Sequence, residues 1–297
     1  MSHPGIDAIT ALLADSGLSE ATIPEQRAAM ETVAGMPPPA GVTATAGKLG
    51  GRPAEWLDPD DVASPRASVV LYLHGGGYCI GSLATHRNLG GLLALALGAT
   101  VDTLDYRLAP EHPFPAAVDD ALAAYRELLD LGHEPASIAI AGDSAGGGLT
   151  VATLVAARDA GLPLPAAAAC LSPWVDLSQT AASFTEIGDA DPMVTRAGLD
   201  LMAEAYLAGA DPATPGASPL HADLAGLPPL RIEVGEVEVL RDDALSLAEA
   251  ARAAGVAVDL VRWPDLVHVF QAFPAELVPE AADSITGIAA FLRAHLA

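Results

Sequence analysis

The residues best suited to covalent chemistry centre on Ser144, in Gly142-Asp143-Ser144-Ala145-Gly146. The run before it, residues 137–142 (SIAIAG), is short and apolar, and residues 145–160 after it (AGGGLTVATLVAARDA) have a helical pattern. A serine in G-x-S-x-G between a strand and a helix is a nucleophile elbow. So tight a turn leaves no room for a Cβ at Gly142 or Gly146, and it pushes the serine out toward a substrate. The helix that starts at Ala145 would aim its free N–H groups and positive dipole end at the place where an oxyanion forms. Upstream, a strand-like run over residues 68–73 ends in His74-Gly75-Gly76-Gly77-Tyr78. Consecutive glycines let the backbone turn N–H donors inward, as acyl transfer requires, and losing one such donor costs about 3 kcal/mol of transition-state stabilisation. A glycine turn by itself is commonplace. At a strand end upstream of G-x-S-x-G, it is a specific sign of an oxyanion loop.

These parts need a frame that brings distant segments to one edge. The pattern predicts strands over 68–73, 100–106, 137–141, 167–171, 230–234 and 256–262. Helices are predicted between and after them, over 88–97, 116–131, 145–160, 243–254 and 280–296. Apolar strands alternating with helices mean an α/β fold, with a mostly parallel sheet covered on both faces. Right-handed crossovers then gather the strand C-termini along one edge, where ligands bind. Residues 6–14 and 23–34 carry apolar side chains at helical spacing and are expected as N-terminal helices outside the sheet. Residues 185–211 have a largely helical pattern and are longer than a crossover needs, which suggests a cap over the catalytic edge. The expected division is 1–45 N-terminal cap helices, 46–184 core, 185–211 cap insertion and 212–297 core continued.

His-Gly-Gly-Gly at 74–77, DYRLAPEHPFPAA at 105–117 and GDSAGG at 142–147 together resemble the bacterial hormone-sensitive-lipase-like esterases. The resemblance spans most of residues 68–297 and weakens toward the N-terminus. It implies an α/β-hydrolase core with a helical cap, no metal or other cofactor, and hydrolysis of short- to medium-chain acyl esters. It also implies that the oxyanion donors are the backbone N–H groups of Gly76, Gly77 and Ala145. The 105–117 stretch is then a structural signature, with His112 a buried or loop-supporting residue.

In this fold the triad runs Ser, acid, His along the chain. Of the histidines after Ser144, His295 lies almost at the terminus and His221 precedes the strand that should carry the acid. His268 follows the last strand, where the general base belongs, although a histidine among valines can also be an ordinary core residue. The acid belongs in the loop after residues 230–234, which holds Glu236, Glu238, Asp242 and Asp243. The family usually has aspartate where this chain has Glu238, a departure that a longer arm can accommodate through the same hydrogen bond. Glu238 ranks first, Glu236 second and Asp242 third, because Asp242 and Asp243 look like the cap and first turn of a helix. Tyr78, Trp174 and Tyr206 are candidate substrate-wall residues.

The expected mechanism has His268 deprotonate Ser144 while Glu238 holds the imidazole, giving an acyl-enzyme that water then hydrolyses. A neutral base is required, so activity should fall below about pH 6.5 or somewhat higher. A deacetylase or acyltransferase would use the same triad. A non-enzymatic receptor on this fold would lack the histidine, so His268 argues against it.

The formal charge of −24 argues against nucleic-acid binding, which needs clustered cations, and against stable docking on anionic membranes. Lys48 is the only lysine, which leaves little scope for Schiff-base chemistry. Cys79 and Cys170 lie in apolar runs and are expected as free core thiols. The start of the chain shows no secretory signal, and a cytoplasmic protein is expected. A homodimer could form through the free edge of the last strand. Residues 41–49 look superficially like a phosphate loop, but they have one residue too many and leucine in place of Ser/Thr.

Overall fold

The computed structural model describes residues 3–14 and 21–297. Eight strands form one sheet in the order β1-β2-β4-β3-β5-β6-β7-β8. Six run parallel, in the expected places: β3 (Val69–Leu73), β4 (Thr100–Leu104), β5 (Ile138–Asp143), β6 (Ala167–Leu171), β7 (Leu230–Gly235) and β8 (Val258–Trp263). Side chains of β3 alternate between two cores. Leu71 and Leu73 face α4 (Ala116–Asp130), α5 (Ala145–Asp159) and α8 (Arg241–Ala253), whereas Val70 and Tyr72 face α3 (Leu83–Leu97) and α9 (Glu280–His295). The period of two along β3, β5 and β6 thus buries both faces, which is why these strands are almost wholly apolar, whereas edge strand β8 exposes Asp259 and Arg262.

The hairpin of β1 (Val42–Leu49) and β2 (Arg52–Pro59) was not expected from the sequence. It extends the sheet antiparallel to β4 and starts inside the segment assigned to the N-terminal cap. One face of β1 meets solvent, so small polar residues replace an apolar run. Prolines near both ends of β2 further weaken its strand signal. The usable sign was Gly50-Gly51, whose φ angles of 60° and 77° make the tight hairpin turn.

Helix α3 begins at Leu83, earlier than expected, because Ser82 caps it by accepting the Thr85 N–H at 3.3 Å. In the 185–211 segment only α7 (Arg196–Leu207) is a helix of several turns, after the four-residue α6 (Ser183–Glu186). Between them Asp191 precedes Pro192 and its Oδ1 accepts the N–H groups of Met193 and Val194, a turn that competes with helix. Two N-terminal helices, α1 (Pro4–Ala14) and α2 (Ile23–Ala34), lie outside the sheet as expected. Among the described residues, no helix is long and apolar enough to cross a membrane.

Candidate active site

The parallel strands deliver their C-terminal ends to one edge, and every candidate catalytic residue follows such an end. Ser144 follows β5 with φ 54° and ψ −123°, so the chain reverses sharply before α5. Its N–H donates to the Leu171 carbonyl at 2.8 Å, and its own carbonyl accepts the N–H groups of Gly148 (3.1 Å) and Trp174 (2.9 Å). The elbow is locked to the end of β6. A Cβ at Gly146 would run into the carbonyls of Leu73 and His74, which explains the need for glycine there. Ala145 opens α5, and first-turn N–H groups have no intrahelical acceptor.

The glycine loop follows β3 next door. Gly76, Gly77 and Tyr78 have φ of 111°, 58° and 62°, and the Gly76 carbonyl accepts the N–H groups of Cys79 (3.0 Å) and Ile80 (2.9 Å). Asp143, beside Ser144, anchors this loop. Its Oδ1 accepts the Tyr72 hydroxyl at 2.8 Å and the Gly75 N–H at 3.1 Å, and its Oδ2 lies 3.4 Å from His86 Nε2. Burial opposes its charge, but His86, Tyr72 and His74 together hold the carboxyl below its ordinary range. His74 stacks on Tyr106 with centroids 4.2 Å apart, and burial followed by the nearby His86 lowers its pKa to about 3. The Tyr106 hydroxyl donates to the His74 carbonyl at 2.7 Å, so the 105–117 stretch does brace the glycine loop. His112, expected as a buried or loop-supporting residue, is not buried; it is exposed beside Glu111 on a polar surface turn.

Glu238 and His268 meet directly. Glu238 Oε2 lies 2.6 Å from His268 Nδ1, and Oε1 accepts the Gly235 N–H (2.6 Å) and the Ser172 hydroxyl (2.8 Å). The carboxylate is wholly buried. The rivals point elsewhere: Glu236 grips Arg262, and Asp242 bonds Arg241 and the Ser183 N–H. Asp243 accepts the N–H groups of Val175 and Asp176, and burial raises its pKa to about 7. Burial of His268 disfavours its charge, yet the Glu238 hydrogen bond and charge, with Asp191 and Asp143 behind, raise its pKa above the ordinary value.

Helix α7 and the N-terminal helices α1 and α2 pack against these loops. Met202 of α7 packs so closely on Gly77 that a Cβ there would strike its sulfur. Tyr78 stacks on Tyr206 at 3.9 Å and lies 6.1 Å from Trp174, and all three rings are buried. Arg27 of α2 donates to the carbonyls of Cys79 (2.6 Å) and Ala109 (2.7 Å). Ile6 and Ile9 of α1 pack with Leu266, Val267 and Phe270 around His268. Asp191 Oδ2 accepts the Val239 N–H at 2.9 Å, tying the turn before α7 to the loop that carries Glu238.

Comparison with known proteins places the fold in a family. The family described as alpha/beta hydrolase fold matches residues 70–272. The chain is 52% identical over 240 residues to an acetyl-hydrolase of Streptomyces hygroscopicus, covering 81% of this chain and 79% of that one. It is 41% identical over 238 residues to the carboxylesterase NlhH of Mycobacterium tuberculosis, covering 76% and 73%. A crystal structure of an esterase from the bacterial hormone-sensitive lipase family superposes with TM-score 0.93 at 45% identity over 100% of both chains. The EstE5 crystal structure superposes with TM-score 0.94 at 44% identity over 98% of each. This chain belongs to the bacterial hormone-sensitive-lipase-like esterases. It is therefore a member of a family of carboxylic ester hydrolases on the α/β-hydrolase fold.

Sequence reasoning missed the esterase's supporting residues Asp143, Tyr72, His86, Ser172 and Asp191. Asp143 was detectable, since a carboxylate ending an apolar strand must find partners. Ser172 was not, because its partners lie 66 and 97 residues away.

Proposed function

We propose that the chain is a serine carboxylesterase that hydrolyses short acyl esters through an acyl-enzyme on Ser144. The observation that carries this proposal is the buried Glu238–His268 hydrogen bond of 2.6 Å, on the strand-end edge that also presents the elbow serine. With Nδ1 engaged by the acid, Nε2 is the nitrogen left to take the serine proton. Ser144 Oγ attacks the ester carbonyl, and the N–H groups of Gly76, Gly77 and Ala145 receive the developing oxyanion. Protonated His268 then gives its proton to the leaving alcohol. Water, deprotonated by His268, releases the acid and regenerates Ser144.

The shortness of the acyl chain is supported by the acetyl-hydrolase relative. The buried rings of Tyr78, Trp174 and Tyr206 pack together and hold the glycine loop against α7. A panel of p-nitrophenyl esters from acetate upward tests the proposal, with Ser144→Ala alongside. Ser144→Ala should lose at least about 10⁴-fold in kcat. Wild-type turnover that survives this substitution, or is absent at every chain length, would refute it.

A further inference from the structure

Ser172 takes no part in the steps above, yet it bonds the segments of Glu238 and His268 and follows the residue whose carbonyl holds Ser144. It follows β6, is wholly buried, and has a φ of 46°, left-handed backbone that a serine adopts at a cost. Its hydroxyl donates to Glu238 Oε1 at 2.8 Å and accepts the Val269 N–H at 3.1 Å. Its own N–H donates to the Glu233 carbonyl on β7 at 2.7 Å. The preceding carbonyl, that of Leu171, holds the N–H of Ser144. Val269, directly after His268, is a β-branched residue at φ 46°, a conformation that persists only where the surroundings enforce it.

We propose that Ser172 is a positioning residue for the acid–base pair. Through one hydroxyl it sets the Glu238 carboxylate and holds the strained backbone after His268, so that the imidazole is seated toward Ser144. Only a group that donates and accepts at once can serve both partners. Alanine serves neither. Glycine serves neither as well, but it relieves the left-handed backbone, so it separates strain from positioning. The inference rests on the ester-hydrolysis reading.

The test compares Ser172→Ala and Ser172→Gly with wild type in p-nitrophenyl acetate hydrolysis, with urea midpoints measured in parallel. Both variants should lose about tenfold to thirtyfold in kcat, with KM changed by less than about twofold. Ser172→Gly should be the more stable of the two and no more active. The acid limb of the kcat/KM profile should move up by about half a pH unit in both, since Glu238 loses a donor and attracts the imidazolium more strongly. The other charges facing His268, Asp191 from the cap and Asp143 from the elbow, are unchanged by these substitutions. Activity within about twofold of wild type in either variant, or activity in Ser172→Gly that recovers with its stability, would overturn the proposal. Wild-type turnover that does not depend on Ser144 would instead overturn the esterase reading itself.

Discussion

Two buried carboxylates sit on either side of the nucleophile, and their partners match. Asp143 takes a hydroxyl from Tyr72, an N–H from Gly75 and the ring of His86; Glu238 takes a hydroxyl from Ser172, an N–H from Gly235 and the ring of His268. Their differences are positional. Asp143 faces back into the sheet, and its histidine is held from the other side by Thr85 at 2.8 Å, so the cluster ties the glycine loop to the elbow. Glu238 lies in the loop after β7, and its histidine follows the last strand, at the substrate edge. The same three kinds of partner make a brace in one place and, on the proposed reading, an acid–base pair in the other. What separates them is that His86 has both nitrogens engaged, by Asp143 and Thr85, whereas His268 meets Glu238 through Nδ1.

The sharpest way to break this comparison is to neutralise each carboxylate in turn. Glu238→Gln should keep the fold and lower kcat by about 10⁴-fold, because the imidazole loses its tautomer control and its counter-charge. Glu236→Gln in the same assay should stay near wild type, since that side chain is occupied with Arg262. A large loss in the second and none in the first would exchange their roles. Asp143→Asn should show the reverse balance: about 2 kcal/mol lost in urea unfolding, with kcat down only about tenfold through a loosened glycine loop. An unchanged urea midpoint with a loss of activity as deep as that of Glu238→Gln would show that Asp143 is more than a brace.

The smallest effect is in pH. Raising the pKa of His268 means that its neutral form, the base, disappears at a higher pH than for an ordinary histidine. The acid limb of kcat/KM should therefore lie above about pH 6.5, and activity should fall as pH drops through it. His74, lowered to about 3 by burial and by His86, stays neutral throughout and adds no second limb. Full activity maintained at about pH 5.5 would show that the Glu238–His268 pair does not set the base.

Much of this was legible in the chain. Strands β3, β5 and β6 were visible as apolar runs because both their faces are buried, and Ser144 was visible because G-x-S-x-G imposes its own local geometry. The edge hairpin of β1 and β2 was hidden because a half-solvated strand carries few apolar residues. The choice among Glu236, Glu238 and Asp242 was open because all three lie within a few residues on one loop, and only the fold decides which carboxylate turns inward.

By itself the sequence determined the α/β frame, the elbow and the glycine loop, since each depends on local sterics or on periodicity along the chain; the order serine, acid, histidine was an expectation carried by the fold. The tertiary structure decided that Glu238, ranked first from the sequence, and not Glu236 meets His268, that Asp143 bonds the glycine loop, and that Ser172 joins β6 to Glu238 and to the loop of His268. Those decisions depend on side chains brought together from residues 30 to 97 apart, a proximity that no local pattern encodes.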